Sequence, residues 1–428
     1  ARNNPYALEE TVNQLNGRRI LDLLGKLGLV KSYYLEDFGN ELDLDQAKRL
    51  ILEGKVFIEL VAGGAASRMQ ESLLTEEVKL PIGECRLWGL DIFKIQNLLN
   101  RQREASQKPI YPIPDFAKSI SLGVRELLAL KRAVEDAFTD STERTEAFKH
   151  LVIVIHIEDD IQTMVEKELV EHNFFGFNPE NIILVNGGWG DSFIVTNGKV
   201  ARIRQRVTWN HGYALLELDW IKGYTLDKTG ARKSLNESNE SVFDHLEQKG
   251  AEIGILRRIN DLFLLYPPLA LDIGMLALFR YLSKARGANV IAEVMTNPTA
   301  QKGGLALRVA PQERFVVLLE GLAIKLGAID KELSNLTEQA KKAGLPGIPY
   351  NRMYMLYELK AVRDAIRAEH GIAMSLKYSR DKYEGMLSPE IPSGDITYLR
   401  GMNALAVARR KDALIDNGVL PLDKDYTI

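Results

Sequence analysis

The spacing of apolar positions changes several times along the chain, and each change predicts an element. Residues 7 to 30 place Leu15, Ile20, Leu23, Leu24 and Leu27 at helical intervals, and Asp43 stands where a cap would open a short second helix ending at Gly54. From Lys55 the period shifts. The run KVFIELVA has no helical stripe and stops at Gly63-Gly64, which predicts a buried strand delivering a glycine loop. LDIFKIQNLLNRQ returns to a helical pattern. HLVIVIHI (150–157), a helical stretch from Asp159 to about Asn173, and IILVN (182–186) then read as strand, helix, strand, the order that builds a parallel sheet.

FIVTNGKVARI sets Asn197-Gly198 between alternating apolar residues, a hairpin signal because both turn positions require positive φ. After this antiparallel excursion come the strand IGILRRI (253–259), a helix from Asp272 to Arg286, the strand NVIAEVM (289–295) and a second hairpin in GGLALRVAPQERFVVLLEG. Gly344 to Pro349, rich in glycine and proline, separates this body from a last segment whose clearest element is a helix around Tyr357 to His370. No internal repeat or low-complexity tract interrupts the chain. The expected organisation is a helical N-terminal segment (1–54), a central α/β domain (55–348) and a small C-terminal segment (349–428).

Composition narrows the function classes. The 428 residues carry 55 Lys and Arg against 58 Asp and Glu, a formal net charge of −3, so nothing favours nucleic acid as a partner. No apolar run approaches the ~18 residues of a membrane span, and no membrane partner is expected. The single cysteine, Cys85, excludes an internal disulfide framework and a cysteine-built zinc site, and it fits a reducing, cytoplasmic location. No charged-then-apolar leader opens the chain, which begins at Ala1. The six histidines lack paired-ligand spacing, and no GxSxG elbow is present. Nothing in the sequence sets the oligomeric state.

The candidate chemistry sits at VAGGAASRM. A strand ending in Gly63-Gly64 presents backbone amides at the carboxyl edge of a parallel sheet, where anionic groups bind. By itself the motif is equally a tight turn without ligand: it has neither the GKS/GKT of a Walker loop nor GxGxxG spacing. It is joined, in order, by Lys79 ahead of LPIGECRLWGLDIFKIQ, by HLVIVIHIEDDIQTMVEKEL, FFGFNPENIILVN and TWNHGYALLEL, by EVMTNPTAQKGGLAL, and by PYNRMYMLYELKAV. Taken together, across residues 55 to 365, this set resembles the UDP-sugar pyrophosphorylase family, most closely the UTP-glucose-1-phosphate uridylyltransferases. Two departures stand out. Ala65-Ala66-Ser67 stands where the family has its second glycine-threonine pair, and Asn260-Asp261 inverts the family's Asp-Asn order.

The resemblance implies a doubly wound, mainly parallel, Rossmann-like nucleotidyltransferase sheet, and an enzyme that makes a UDP-sugar and pyrophosphate from UTP and a sugar 1-phosphate, glucose 1-phosphate being the first expectation. Its implied catalytic residues are Lys79 on the triphosphate, Arg68 beside the loop and Lys360 on the sugar phosphate. Ala62, Gly63, Gly64, His211 and Gly212 would bind nucleotide, and Asn351, Lys302, Gly303 and Gly304 the sugar phosphate. Asp261 would hold Mg2+, with Asp272 as a substitute carboxylate. The loop and Asn-Asp departures keep two alternatives open: the same fold acting on a different nucleotide or acceptor, and a non-catalytic relative that binds nucleotide or sugar phosphate.

Overall fold

A computed structural model of the chain describes residues 27–62, 88–89, 104, 120–187, 191–196, 199–204, 213–235, 240–259, 270–296, 305–309, 315–318, 330–345, 347–371, 375–379, 386–390 and 393–409. In chain order the strands are β1 (Leu27–Leu29), β2 (Ser32–Tyr34), β3 (Val56–Val61), β4 (Val152–Ile157), β5 (Ile182–Asn186), β6 (Asp191–Thr196), β7 (Lys199–Arg204), β8 (Tyr224–Leu226), β9 (Arg232–Ser234), β10 (Ile253–Arg258), β11 (Val290–Thr296), β12 (Leu305–Val309), β13 (Phe315–Leu318), β14 (Pro349–Glu358), β15 (Ser375–Ser379), β16 (Met386–Glu390) and β17 (Ala404–Ala408). The longer helices are α1 (Leu44–Leu52), α2 (Leu122–Ala137), α3 (Ser141–His150), α4 (Asp159–Glu171), α5 (Tyr213–Trp220), α6 (Val242–Gln248), α7 (Ile273–Arg286), α8 (Asp330–Lys342) and α9 (Leu359–Ala368).

Thirteen of these strands form one sheet along the order β2-β17-β11-β14-β10-β3-β4-β5-β8-β9, with β1, β12 and β13 attached beside it. β10, β3, β4 and β5 run parallel, as do β2, β17 and β11, and antiparallel β14 joins the two blocks. Both faces are covered, which is why these strands read as continuous apolar runs rather than alternating ones. One face carries Ile58, Leu60, Ile153, Ile155 and Ile255 against α1, α2, α4 and α7. The other carries Phe57, Val154, Ile183 and Leu256 against α5, α6 and α9. A separate four-stranded sheet, β15-β16-β6-β7, contains the predicted excursion; Asn197-Gly198 at its tip lies outside the described residues. No described helix is long and apolar enough to cross a membrane.

Local chemistry sets the helix ends. Asp43 Oδ1 accepts from Gln46 N at 2.7 Å to open α1, as the sequence predicts, and Ser121 Oγ accepts from Val124 N at 3.1 Å to open α2, which it does not. Asp272 caps α7 through Met275 N at 2.9 Å, and Gly287, at φ 64°, closes it in the left-handed conformation glycine tolerates.

Three expectations change. Leu27–Leu29 is a strand paired with β12, not the end of a helical lead-in; residues 1–26 lie outside the described residues. The helix expected from Tyr357 begins at Leu359, because Pro349–Glu358 is a strand. That strand begins just past the domain boundary drawn at 348 and lies within the central sheet: β14 pairs with both β10 and β11, and β17 pairs with β11, while β15 and β16 belong to a second, four-stranded sheet. FFGFNPENIILVN begins with a buried corner and ends in β5: Asn173, just ahead of it, Phe174 and Phe175 take φ of 47°, 52° and 56°, and Phe174, Phe175 and Phe177 pack into the core.

Gly254 has a steric role. A Cβ there would lie 2.4 Å from Tyr357 Cζ and 2.6 Å from Phe57 Cζ, so the missing side chain is what lets the Tyr357 ring cross β10. Gly254→Ala should cost ~1–3 kcal/mol by overpacking. Thermal melting checks this, and an unchanged midpoint would mean the ring finds room elsewhere.

Candidate functional site

The register locates the edge on which ligands bind in open α/β sheets. Leu60, Arg257 and Tyr354 form one row across β3, β10 and β14, and Val56, Ile253 and Glu358 form the row at the other end. Ala62, Ile259 and Thr296 therefore stand beyond the same edge, the one where β3, β10 and β11 terminate. Ala62 is buried and its amide donates to His156 O at 3.0 Å, fixing the strand end from which the glycine loop departs. Asn351, also buried, pairs with Val294 near the same edge.

The remaining expected residues divide in two. Gly63, Gly64, Arg68, Lys79, His211, Gly212, Asp261, Lys302, Gly303 and Gly304 lie outside the described residues. Lys360 is described and exposed, and its position overturns its expected role. It follows Glu358, the β14 residue in register with Ile253 at the start of β10, so the length of the strands, about 20 Å at ~3.3 Å per residue, separates it from Ala62. Asp272 is likewise committed, capping α7 with one oxygen and pairing with Arg409 through the other. Among the described residues no group of three His, Cys, Asp or Glu side chains could hold a metal ion.

Beneath this edge lie buried charges that the sequence reading did not single out. On the α2 face, Glu126 accepts from Arg125 Nη2 at 2.6 Å and from Arg257 Nη1 at 2.7 Å, with all three side chains at most 1 % exposed. Arg125 Nη2 also donates to the carbonyl of Ile259 at 3.2 Å, tying α2 to the point where β10 ends. Farther along the same face, Arg409 contacts Glu293 at 3.0 Å and stacks over the Tyr354 ring, 5.0 Å from its centroid. Burial, more than the nearby charges, holds the Tyr354 phenol far above its usual pKa.

On the α5 face, His156 lies between two carboxylates. Its Nδ1 is 2.6 Å from Glu217 Oε2 on α5; its Nε2 is 2.9 Å from Glu59 Oε1 on β3, close enough for ion pairing though bent away from hydrogen-bond alignment. Tyr357 Oη donates to Glu59 Oε2 at 2.6 Å, extending the chain of contacts across β14, β3 and β4 to α5. Burial alone would lower the imidazole pKa; the contacts with Glu217 and Glu59 outweigh it and raise the value from 6.5 to about 9. The signal was legible: Glu59 in KVFIELVA and His156 in HLVIVIHI are ionisable residues inside runs that both faces of the sheet must bury, and buried charges need partners.

A consequence follows for stability. Because the folded-state pKa is the higher one, the folded protein holds the His156 proton more tightly than the unfolded chain. The stabilisation is complete below pH 6.5 and is lost as pH rises through about 9, a difference on the order of 3 kcal/mol. Urea unfolding across that window should show the decline, and His156→Asn should remove it; parallel pH profiles for the two proteins would refute the buried imidazolium.

No protein-family model matches this chain, and no curated protein matches it in sequence. Solved structures do match in fold. The UDP-N-acetylglucosamine pyrophosphorylase of Trypanosoma brucei aligns with a TM-score of 0.57 at 13 % identity, over 94 % of this chain and 70 % of its own. The UDP-glucose pyrophosphorylase of Leishmania major aligns with a TM-score of 0.52 at 12 % identity, over 90 % and 67 %. A UDP-glucose phosphorylase of Trypanosoma brucei aligns at 0.51 and 12 %, over 90 % and 66 %. The chain thus spans about two thirds of the length of these neighbours. Its mixed sheet, parallel at the centre and covered by helices, is the nucleotidyltransferase-like fold of the UDP-sugar pyrophosphorylases.

Proposed function

We propose that this protein is a nucleotidyltransferase that joins the UMP moiety of UTP to a sugar 1-phosphate, with glucose 1-phosphate as the first candidate, forming a UDP-sugar and releasing pyrophosphate. The observation that carries the reading is the fold shared over 94 % of the chain, together with β3, which ends at the ligand edge just before Ala62 and runs, in sequence, into Gly63-Gly64. In the reaction a phosphate oxygen of the sugar 1-phosphate attacks the α-phosphorus of UTP. One P–O bond forms in line as the bond to the β,γ-pyrophosphate breaks, and the electron pair leaves with pyrophosphate. The protein supplies alignment and charge neutralisation rather than a nucleophile.

In this proposal Ala62 fixes the start of the loop beside the nucleotide, the amides of Gly63 and Gly64 line the phosphates, Lys79 and Arg68 offset charge at the triphosphate, and His211-Gly212 meets the nucleotide. Asn351, Lys302, Gly303 and Gly304 address the sugar phosphate. Lys360 has no part, being at the wrong end of the sheet. Mg2+, with Asp261 as its protein ligand, would supply further neutralisation of phosphate charge when bound.

The test is pyrophosphate release over a matrix of nucleoside triphosphates and sugar 1-phosphates with Mg2+. Release with UTP and one sugar phosphate supports the reading. Release with another nucleotide moves it to the same chemistry on a different donor. Nucleotide binding without release under every pairing would leave a non-catalytic binding protein.

A further inference from the structure

The contacts from Tyr357 to Glu217 form a built device whose place in the fold points at the nucleotide side of the site. α5 begins at Tyr213, directly after His211-Gly212 in the chain. Leu215, Leu216 and Leu218 pack α5 on the sheet, but apolar contact is non-directional and leaves a short helix free to slide or rotate. Glu217 supplies the missing directionality. Its carboxylate reaches His156 at 2.6 Å and fills the space beside Gly187, where a Cβ would lie 1.7 Å from Glu217 Oε1. Gly187 in turn donates its amide to Ile157 O at 3.4 Å, next to His156 in β4.

The far end of the device is equally fixed. Glu59 is fully buried in β3, two residues before the strand ends at Val61, and is held by Tyr357, whose ring needs the absent side chain of Gly254. One imidazole therefore joins β3, the strand that delivers the glycine loop, to α5, the helix that follows His211-Gly212. The C-terminal half of α5 has a tie of its own, Arg367 donating to Asp219 at 2.7 Å, so the His156 contact is not needed merely to keep the helix attached.

We propose that His156, held between Glu59 and Glu217, is a positioning residue: it sets the placement of α5 against β3, and through it the alignment of the two chain segments that grip the nucleotide. The dependence on a nucleotide rests on the function proposed above; the placement of α5 does not.

Two readouts separate those claims. The first is amide exchange over residues 213–220 in Glu217→Gln, which keeps the side-chain shape but removes its charge, with Ser283→Ala as a control; Ser283 Oγ donates to Glu358 Oε1 at 2.7 Å, at the opposite end of the sheet. Exchange over 213–220 should rise about tenfold in Glu217→Gln and stay unchanged in the control. The second is the KM for UTP, which should rise about tenfold with kcat held within about twofold. Glu217→Asp, which restores the charge, should recover part of both. Should Glu217→Gln fail to fold, Tyr357→Phe removes only the hydroxyl from Glu59 and should give shifts of about threefold in the same directions.

Unchanged exchange in folded variants would overturn the proposal. So would raised exchange with an unaltered KM for UTP in an active enzyme, since His156 would then be a brace and no more. If the wild-type protein neither binds nor uses a nucleotide, the functional reading fails, and the exchange result still decides whether the contact places α5.

Discussion

Glu126→Gln is expected to lower the unfolding free energy by about 3–5 kcal/mol, the largest stability effect of any single substitution considered for this protein. The carboxylate sits between two guanidiniums that are themselves out of water, with Arg125 1 % exposed and Arg257 not exposed at all. Taking its charge away leaves two buried cations facing a neutral amide, and less of the desolvation already incurred by both arginines is offset. Urea unfolding of the variant measures the loss. A double variant, Glu126→Gln with Arg257→Met, should recover part of it by removing one of the two buried cations; a loss under about 1 kcal/mol in the single variant would mean that the ionic contact contributes little.

Lys79→Ala is expected to behave in the opposite way, with stability kept and turnover reduced by about 10²–10³. The lysine enters through its position ahead of LPIGECRLWGLDIFKIQ, and in the proposed reaction it faces charge that grows on the α-phosphoryl group as pyrophosphate leaves. Such a group acts on the transition state more than on the folded protein. Steady-state kinetics beside a thermal melt will separate the two effects; normal turnover in the variant would return Lys79 to the ordinary population of solvated surface lysines.

Much of the fold was legible in the sequence because apolar runs and caps are local signals. KVFIELVA, HLVIVIHI, IILVN and IGILRRI are β3, β4, β5 and β10, and Asp43 and Asp272 begin helices where their types predict. β14 was not legible. Its sequence, PYNRMYMLYE, has neither a run of β-branched residues nor clean alternation, and only the partners it finds in β10 and β11 make it a strand. Lys360 was misjudged for the same reason: its distance from the ligand edge depends on the direction of a strand that the sequence did not reveal. The buried ionic sets were visible one residue at a time, as Glu59, His156, Arg257 and Glu126. Which of them pair is a matter of which strands lie side by side, and that is non-local information.

The position of β14 bears on how the chain is made. A ribosome releases residues 253–296 well before 349–358, so β10 and β11 emerge with the edges that β14 will later join still open. β2 waits longer still, for a partner in β17 about 370 residues downstream. Contacts of that separation slow folding and hold open, during synthesis, backbone edges that recruit other extended chains. A nascent chain halted before β14 would therefore be an aggregation-prone species in need of chaperone cover, although the finished protein buries those same edges at the centre of its sheet.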